Sequence, residues 1–166
     1  MSQAANLAAL GSTANANGAI TGSVLQVVNA SITGDTSVTS IGYVSTGLYA
    51  TITPKFSTSK IVVLVNSGCS YCGSSGVFLN VQIWKGTSGQ GSGSVIGSNP
   101  AVATFGSNNT FFPSEYSVVD TPASTSALTY TVMQQVSTGG NRVGFLYSGG
   151  SYTNAQANII LMEIAA

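Results

Sequence analysis

Beyond residue 21, the apolar stretches of this sequence are short, rich in β-branched and aromatic residues, and closed by Gly, Ser, Asn or Pro. In "SGVFLNVQIWKG" (75–86), Val77, Leu79, Val81 and Ile83 fall on one side of an extended chain, and Phe78, Asn80, Gln82 and Trp84 on the other. That is the two-residue period of a strand. "TGLYATITP" (46–54) and "SALTYTVMQQVS" (126–137) alternate in the same way, whereas "SKIVVLVNSG" (59–68) and "NIILMEIAA" (158–166) are continuously apolar. A continuous run suits a strand covered on both faces, by its own core and by something else. "GSVLQVVNAS", "GSVIGS", "FFPSEYSVVD" and "GNRVGFLYSGG" complete a set of about eight strands, none with a sustained helical period. The spacing predicts an all-β antiparallel β-sandwich, jelly-roll-like, with an immunoglobulin-like strand order as the alternative.

Residues 1–21 read differently. They are rich in Ala, Asn, Gly and Ser. "QAANLAAL" could form one or two helical turns, too few to persist alone, and "GSTANANGAITG" has linker composition. The expectation is an extended N-terminal arm over 1–21, ordered by a neighbouring subunit, and a β-sandwich domain over 22–166. The opening lacks the basic and apolar regions of a signal peptide, so synthesis in the cytoplasm without export is expected. No apolar run approaches the ~20 residues of a membrane-spanning helix, so no membrane insertion is expected.

Charge is the scarcest resource in this chain. Charged residues make up 5% of it, against about 25% in ordinary soluble domains. The formal net charge is zero, so little electrostatic repulsion keeps copies apart. Such a surface suits a subunit of a stable assembly. The four basic residues, Lys55, Lys60, Lys85 and Arg142, form no stripe that could neutralise phosphates, so nucleic acid is not an expected partner.

Little in the sequence points to catalysis. There is no histidine, and a serine nucleophile needs an activating base. The lysines, Asp35 and Asp120 read as solvated or turn residues. Glu163 interrupts an apolar strand; it reads as an outward-facing glutamate or as a buried one paired with Arg142 across a subunit contact. The glycine-rich "GTSGQGSGS" lacks the lysine and following helix of a phosphate loop and reads as a hairpin tip. No cofactor, no metal site and no enzymatic activity are expected. Trp84, Tyr147 and Tyr152, with nearby Asn and Ser, have the chemistry of a glycan-binding surface, although aromatics in a sandwich more often fill the core or an interface.

Both cysteines lie in "SGCSYCGS", Cys69 and Cys72. The spacing matches half a zinc site, but the chain offers no third cysteine and no histidine. A thioredoxin-like role needs a helix start in a βαβ unit. A disulfide across a tight turn and two buried free thiols both remain; an extended segment would point the side chains to opposite faces and favour the thiols.

From Gly22 to Ala166 the chain resembles small β-sandwich virion proteins of tailed bacteriophages, cyanophages among them. The residues that carry this are "GSVLQVVNASITGDTSVTS", "TGLYATITPKFSTSKIVVLVN", "VQIWKG", "SVVDTPASTSALTYTVMQQV" and "NIILMEIAA". The resemblance implies a virion location and a homotrimer. It implies either a capsid decoration (cement) protein bound to the major capsid protein, or a receptor-binding tip of a tail or head fibre that contacts a host surface glycan. It carries over no functional residues. With about twenty residues before the sandwich and no repeat shaft, the decoration role is the expected one.

Overall fold

In a computed structural model of the chain, residues 19–87, 91–96, 101–104, 110–147 and 155–166 are described. They form twelve strands and no helix. In chain order these are β1 (Val24–Thr33), β2 (Val44–Ile52), β3 (Lys60–Asn66), β4 (Ser70–Cys72), β5 (Phe78–Gly86) and β6 (Ser94–Val95). They continue with β7 (Ala101–Thr104), β8 (Thr110–Phe112), β9 (Glu115–Asp120), β10 (Leu128–Val136), β11 (Val143–Gly144) and β12 (Gln156–Ile164).

Strand order distinguishes the jelly roll from the immunoglobulin-like alternative. One sheet runs β1-β12-β3-β9; a second runs β2-β10-β5-β6, with β7 also pairing β5. All these pairings are antiparallel. β1 pairs β12, β2 pairs β10, β3 pairs β9, and β5 pairs β6 and β7. These five pairs are the rungs of one long antiparallel ribbon. Rolling it up adds the two closing pairs, β12·β3 and β10·β5. Consecutive long strands therefore alternate between sheets, which is jelly-roll topology. A third small sheet, β11-β4-β8, lies off these two. The Val38–Val143 bridge ties it to the β1–β2 loop.

The core lies between the two large sheets, and the alternation read from sequence fills it. Leu48, Ala50 and Ile52, Leu79, Val81 and Ile83, and Leu128, Tyr130 and Val132 point inward from the second sheet. Ile61, Val63 and Val65, with Ala157, Ile159 and Leu161, meet them from the first. Each fully buried Leu, Ile or Val contributes roughly 1.5–3 kcal/mol of transfer free energy, which makes this interdigitated layer the main source of stability.

The glycine-rich segment at 86–94 joins β5 to β6, which pair as a hairpin, and its described ends come into close backbone contact. Gly93 has φ +108°, and a Cβ there would lie 1.9 Å from the Lys85 carbonyl oxygen. Only glycine fits so close to a neighbouring backbone. Residues 88–90, at the centre of that loop, lie outside the described residues, as do 1–18 of the expected arm. Residues 20–23 lie beside the C-terminus: the Gly22 N–H donates to the Ala165 carbonyl at 2.7 Å, and the Ala165 N–H to the Ser23 carbonyl at 2.9 Å.

Candidate functional site

The outward face of the β1-β12-β3-β9 sheet has little that is polar at its middle. The inward residues of β12 and β3 are buried, so by strand alternation Asn158, Ile160, Met162 and Ile164 point out, as do Lys60, Val62, Leu64 and Asn66. The register lines these up across all four strands. Val27, Met162, Val62 and Val119 form one row, and Asn29, Ile160, Leu64 and Ser117 the next. On one flank lies a row of Val24, Ile164 and Lys60; on the other lie Ser31, Asn158, Asn66 and Glu115. Val24, Val27 and Val119 are 54%, 57% and 58% exposed. A groove of about 420 Å³ runs over this face, lined in part by Leu64, Ile160, Asn66 and Glu115. A contiguous apolar patch of this kind on a charge-poor chain is what an assembly surface looks like. The continuous runs at 61–65 and 159–164 signalled it in sequence; Val27 and Val119, which complete the row, sit in segments with no such signal.

At the end of the sandwich that carries the small sheet, aromatic residues collect. Tyr147 stacks on Tyr71, with ring centroids 4.8 Å apart, and Phe111 lies 5.1–5.2 Å from both rings. The Arg142 guanidinium sits over Tyr71 and Tyr147 at 5.5 and 5.4 Å, a cation–π arrangement, and pairs with Asp35. Asp35 is fixed in turn by the Ser37 backbone N–H at 2.8 Å. The sequence reading grouped Tyr147 with Trp84 and Tyr152. Trp84 instead sits on β5, tilted against Tyr43 at 6.3 Å, with its indole N–H donating to Gln82 at 2.9 Å. Tyr152 lies outside the described residues.

Arg142 and Glu163 are not brought together. Glu163 points inward on the same side of β12 as Ile159 and Leu161 and is fully buried in its own chain. Its Oε1 accepts the backbone N–H groups of Lys55 at 2.7 Å and Phe56 at 3.3 Å, and its Oε2 accepts the Gln26 side-chain amide at 2.5 Å. Within its own chain Glu163 is therefore neither an outward-facing glutamate nor the partner of Arg142 but an internal anchor that pins the β2–β3 connection between the two sheets. Burial pushes the Glu163 pKa up, and the hydrogen bonds it accepts outweigh this and hold it below the usual carboxylate value.

Lys85 and Asp120, read as solvated and turn residues, form a second anchor. The Lys85 ammonium lies 2.9 Å from Asp120 Oδ2, and the Tyr130 hydroxyl donates to that same oxygen at 2.8 Å. This joins β5 and β10 of one sheet to β9 of the other. Burial, then the hydrogen bond and charge of Asp120, push the Tyr130 pKa well above its usual value.

The two cysteines are free thiols. Gly68, at φ +68°, turns the chain out of β3; a Cβ there would lie 2.3 Å from the Gln156 carbonyl oxygen. Cys69 follows in the turn, with its N–H donating to the Ser67 carbonyl at 2.7 Å. Cys72 lies three residues on in β4, fully buried, with its Sγ 3.1 Å from the Val77 carbonyl oxygen. The disulfide is thereby corrected in favour of the two-thiol reading. Burial raises the pKa of both thiols, the opposite of what a reactive thiolate needs. Among the described residues no three His, Cys, Asp or Glu side chains gather as a metal site would require.

No protein-family model matches the sequence, and no curated protein matches it. Among solved structures, the chain is similar to a structure of infectious bursal disease virus, Gx strain, at 15% identity and a TM-score of 0.44. That match covers 85% of this chain and 37% of the other. It is also similar to the VP2 subviral particle of infectious bursal disease virus, at 15% identity and a TM-score of 0.40, covering 87% of this chain and 38% of that one. The chain thus spans little more than a third of the length of these viral chains.

Proposed function

We propose that this chain is a structural protein of a bacteriophage virion, a homotrimeric decoration (cement) subunit on the capsid surface that acts by binding other copies of itself and the major capsid protein. The observation that carries this is the apolar outward face of the β1-β12-β3-β9 sheet. A sandwich that needed only its own core would leave a polar face there. The near absence of charge and the sequence resemblance to phage virion proteins support the same role. The trimer comes from that resemblance alone.

Particles prepared with and without the protein test this reading. Cementing predicts that particles lacking it release DNA at lower temperature or lower salt than complete ones. Equal resistance would contradict it.

A second reading, glycan capture at a fibre tip, has the Tyr71–Tyr147–Phe111 cluster in its favour. Against it, Tyr147 already stacks on Tyr71 and Arg142 already covers both rings, so the faces a sugar would use are partly occupied. A glycan array that gave binding abolished by Y147A would favour it.

A further inference from the structure

We propose that the outward face of the β1-β12-β3-β9 sheet takes the same face of a second copy of this chain, across a two-fold axis that lies in the interface and runs perpendicular to the strands. The inference rests on the assembly reading and adds to its trimer a separate two-fold contact that pairs trimers into even-numbered particles, but its test reads particle mass and needs no virion.

The four register rows carry the argument. Their order along the strands is a row with Lys60, two rows that are apolar at their centre, and a row with Asn66 and Glu115; the second central row has Asn29 and Ser117 at its ends. A two-fold axis between the two central rows, perpendicular to the strands, reverses this order in the partner. Met162 then meets the partner's Ile160 and Val62 the partner's Leu64, while Val27 and Val119 lie over the partner's Asn29 and Ser117. Lys60 meets the row of Asn66 and Glu115, one strand spacing from the carboxylate. Both charges are thereby placed against their complements twice, once on each side of the axis. An axis parallel to the strands would instead set Lys60 over Ile164 and Glu115 over Ser31, which matches apolar rows but strands both charges. Lys60 and Glu115 are the only ionisable groups pointing outward from these four strands. Charge complementarity therefore selects the perpendicular axis.

The area reaches what a specific interface needs. Strands ~4.8 Å apart and, at 6 to 10 residues, ~27 Å long on average give a face of roughly 19 by 27 Å, or ~1,000 Å² over two copies, against about 1,000 Å² for a specific interface. Sheets stacked face to face with strands roughly aligned are an established packing mode. With no net charge on the chain, no long-range repulsion opposes it.

Sedimentation of the full chain tests the proposal, at low ionic strength so that the flanking charges are felt. V62E is expected to halve the mass of the wild-type particle, whether that is a dimer or a larger even-numbered assembly. K60E alone is expected to weaken self-association about tenfold by facing Glu115 with a second carboxylate. K60E/E115K is expected to restore wild-type mass. Because the charge swaps lie on exposed positions, they test the geometry even if V62E fails to fold. The proposal is overturned by a V62E mass that is unchanged, by a fall to one third, which would mark a three-fold contact, or by a folded K60E/E115K that stays dissociated. A wild-type monomer at ~100 μM also overturns it. If that monomer associates only after residues 1–18 are removed, the chain's own N-terminus occupies the face.

Discussion

Glu163 provides the sharpest thermodynamic prediction. It is fully buried, and its carboxylate accepts hydrogen bonds from Lys55 N, Phe56 N and the Gln26 side chain. Glu163→Gln keeps one oxygen for the two backbone donors but turns the other into an N–H group that faces the Gln26 amide. Gln26 cannot simply flip, because the same nitrogen donates to the Thr53 carbonyl at 2.7 Å. One charge-assisted bond is lost and two become neutral. At roughly 1.5–3 kcal/mol for a charged hydrogen bond and 0.5–1.5 for a neutral one, the lost bond costs about 2 kcal/mol and each weakened one about 1, or about 4 kcal/mol together. For a chain of this length that is a fall in Tm of about 8–16 °C. The pH dependence follows from the direction of the pKa shift. The folded-state pKa is depressed below the ordinary 4.5. The stabilisation is therefore complete above that value and lost as pH falls through the lower folded-state pKa. Calorimetry of wild type and E163Q from pH 7 to pH 3 should show a constant gap down to about pH 4.5 that narrows below it. A gap under about 0.5 kcal/mol at pH 7, or one unchanged at pH 3, would refute the anchoring role.

Three further predictions concern the Lys85–Asp120 anchor, the two thiols and the turn at Ala123. K85M leaves a nearly buried Asp120 carboxylate with the Tyr130 hydroxyl still donating to it and should cost about 2 kcal/mol in chemical denaturation, more than Y130F at about 1; no cost for K85M would show that the ammonium contributes nothing. In the absence of reductant the folded protein should retain two titratable thiols, with Cys72 reacting with Ellman's reagent only on unfolding, and an intact mass 2 Da lower than the dithiol would contradict this. Ala123 adopts φ +51° in the turn between β9 and β10, a conformation that costs an alanine about 1 kcal/mol, so A123G should raise Tm by roughly 2–4 °C, and a fall would show that the turn depends on the methyl group.

The long strands were legible because burial on one face writes a two-residue period into the chain, as at Leu79, Val81 and Ile83. The same parity, carried from Ile159 and Leu161 to 163, would have placed Glu163 inward; its charge argued for the surface and hid the pattern. Strand order was not legible, since the pairing of β1 with β12 is settled by which edges meet across the whole chain. "FFPSEYSVVD" split in two because Pro113 cannot donate to a ladder, leaving β8 in the small sheet and β9 in a large one. Among its described residues "GNRVGFLYSGG" contributes only Val143–Gly144 as a strand, while Phe145 and Leu146 are buried without strand pairing. Asp35 and Arg142 lie 107 positions apart, and no local feature links them.

The central claim is that the chain is built into a virus particle. A reconstruction of virus particles purified from cells that make this protein, with quantitative mass spectrometry of the same particles, tests that most directly. The account predicts a sandwich-sized density in regular copies on the capsid, with the β1-β12-β3-β9 face covered by protein. Particles that lack the chain, or carry it with that face open to solvent, would contradict it.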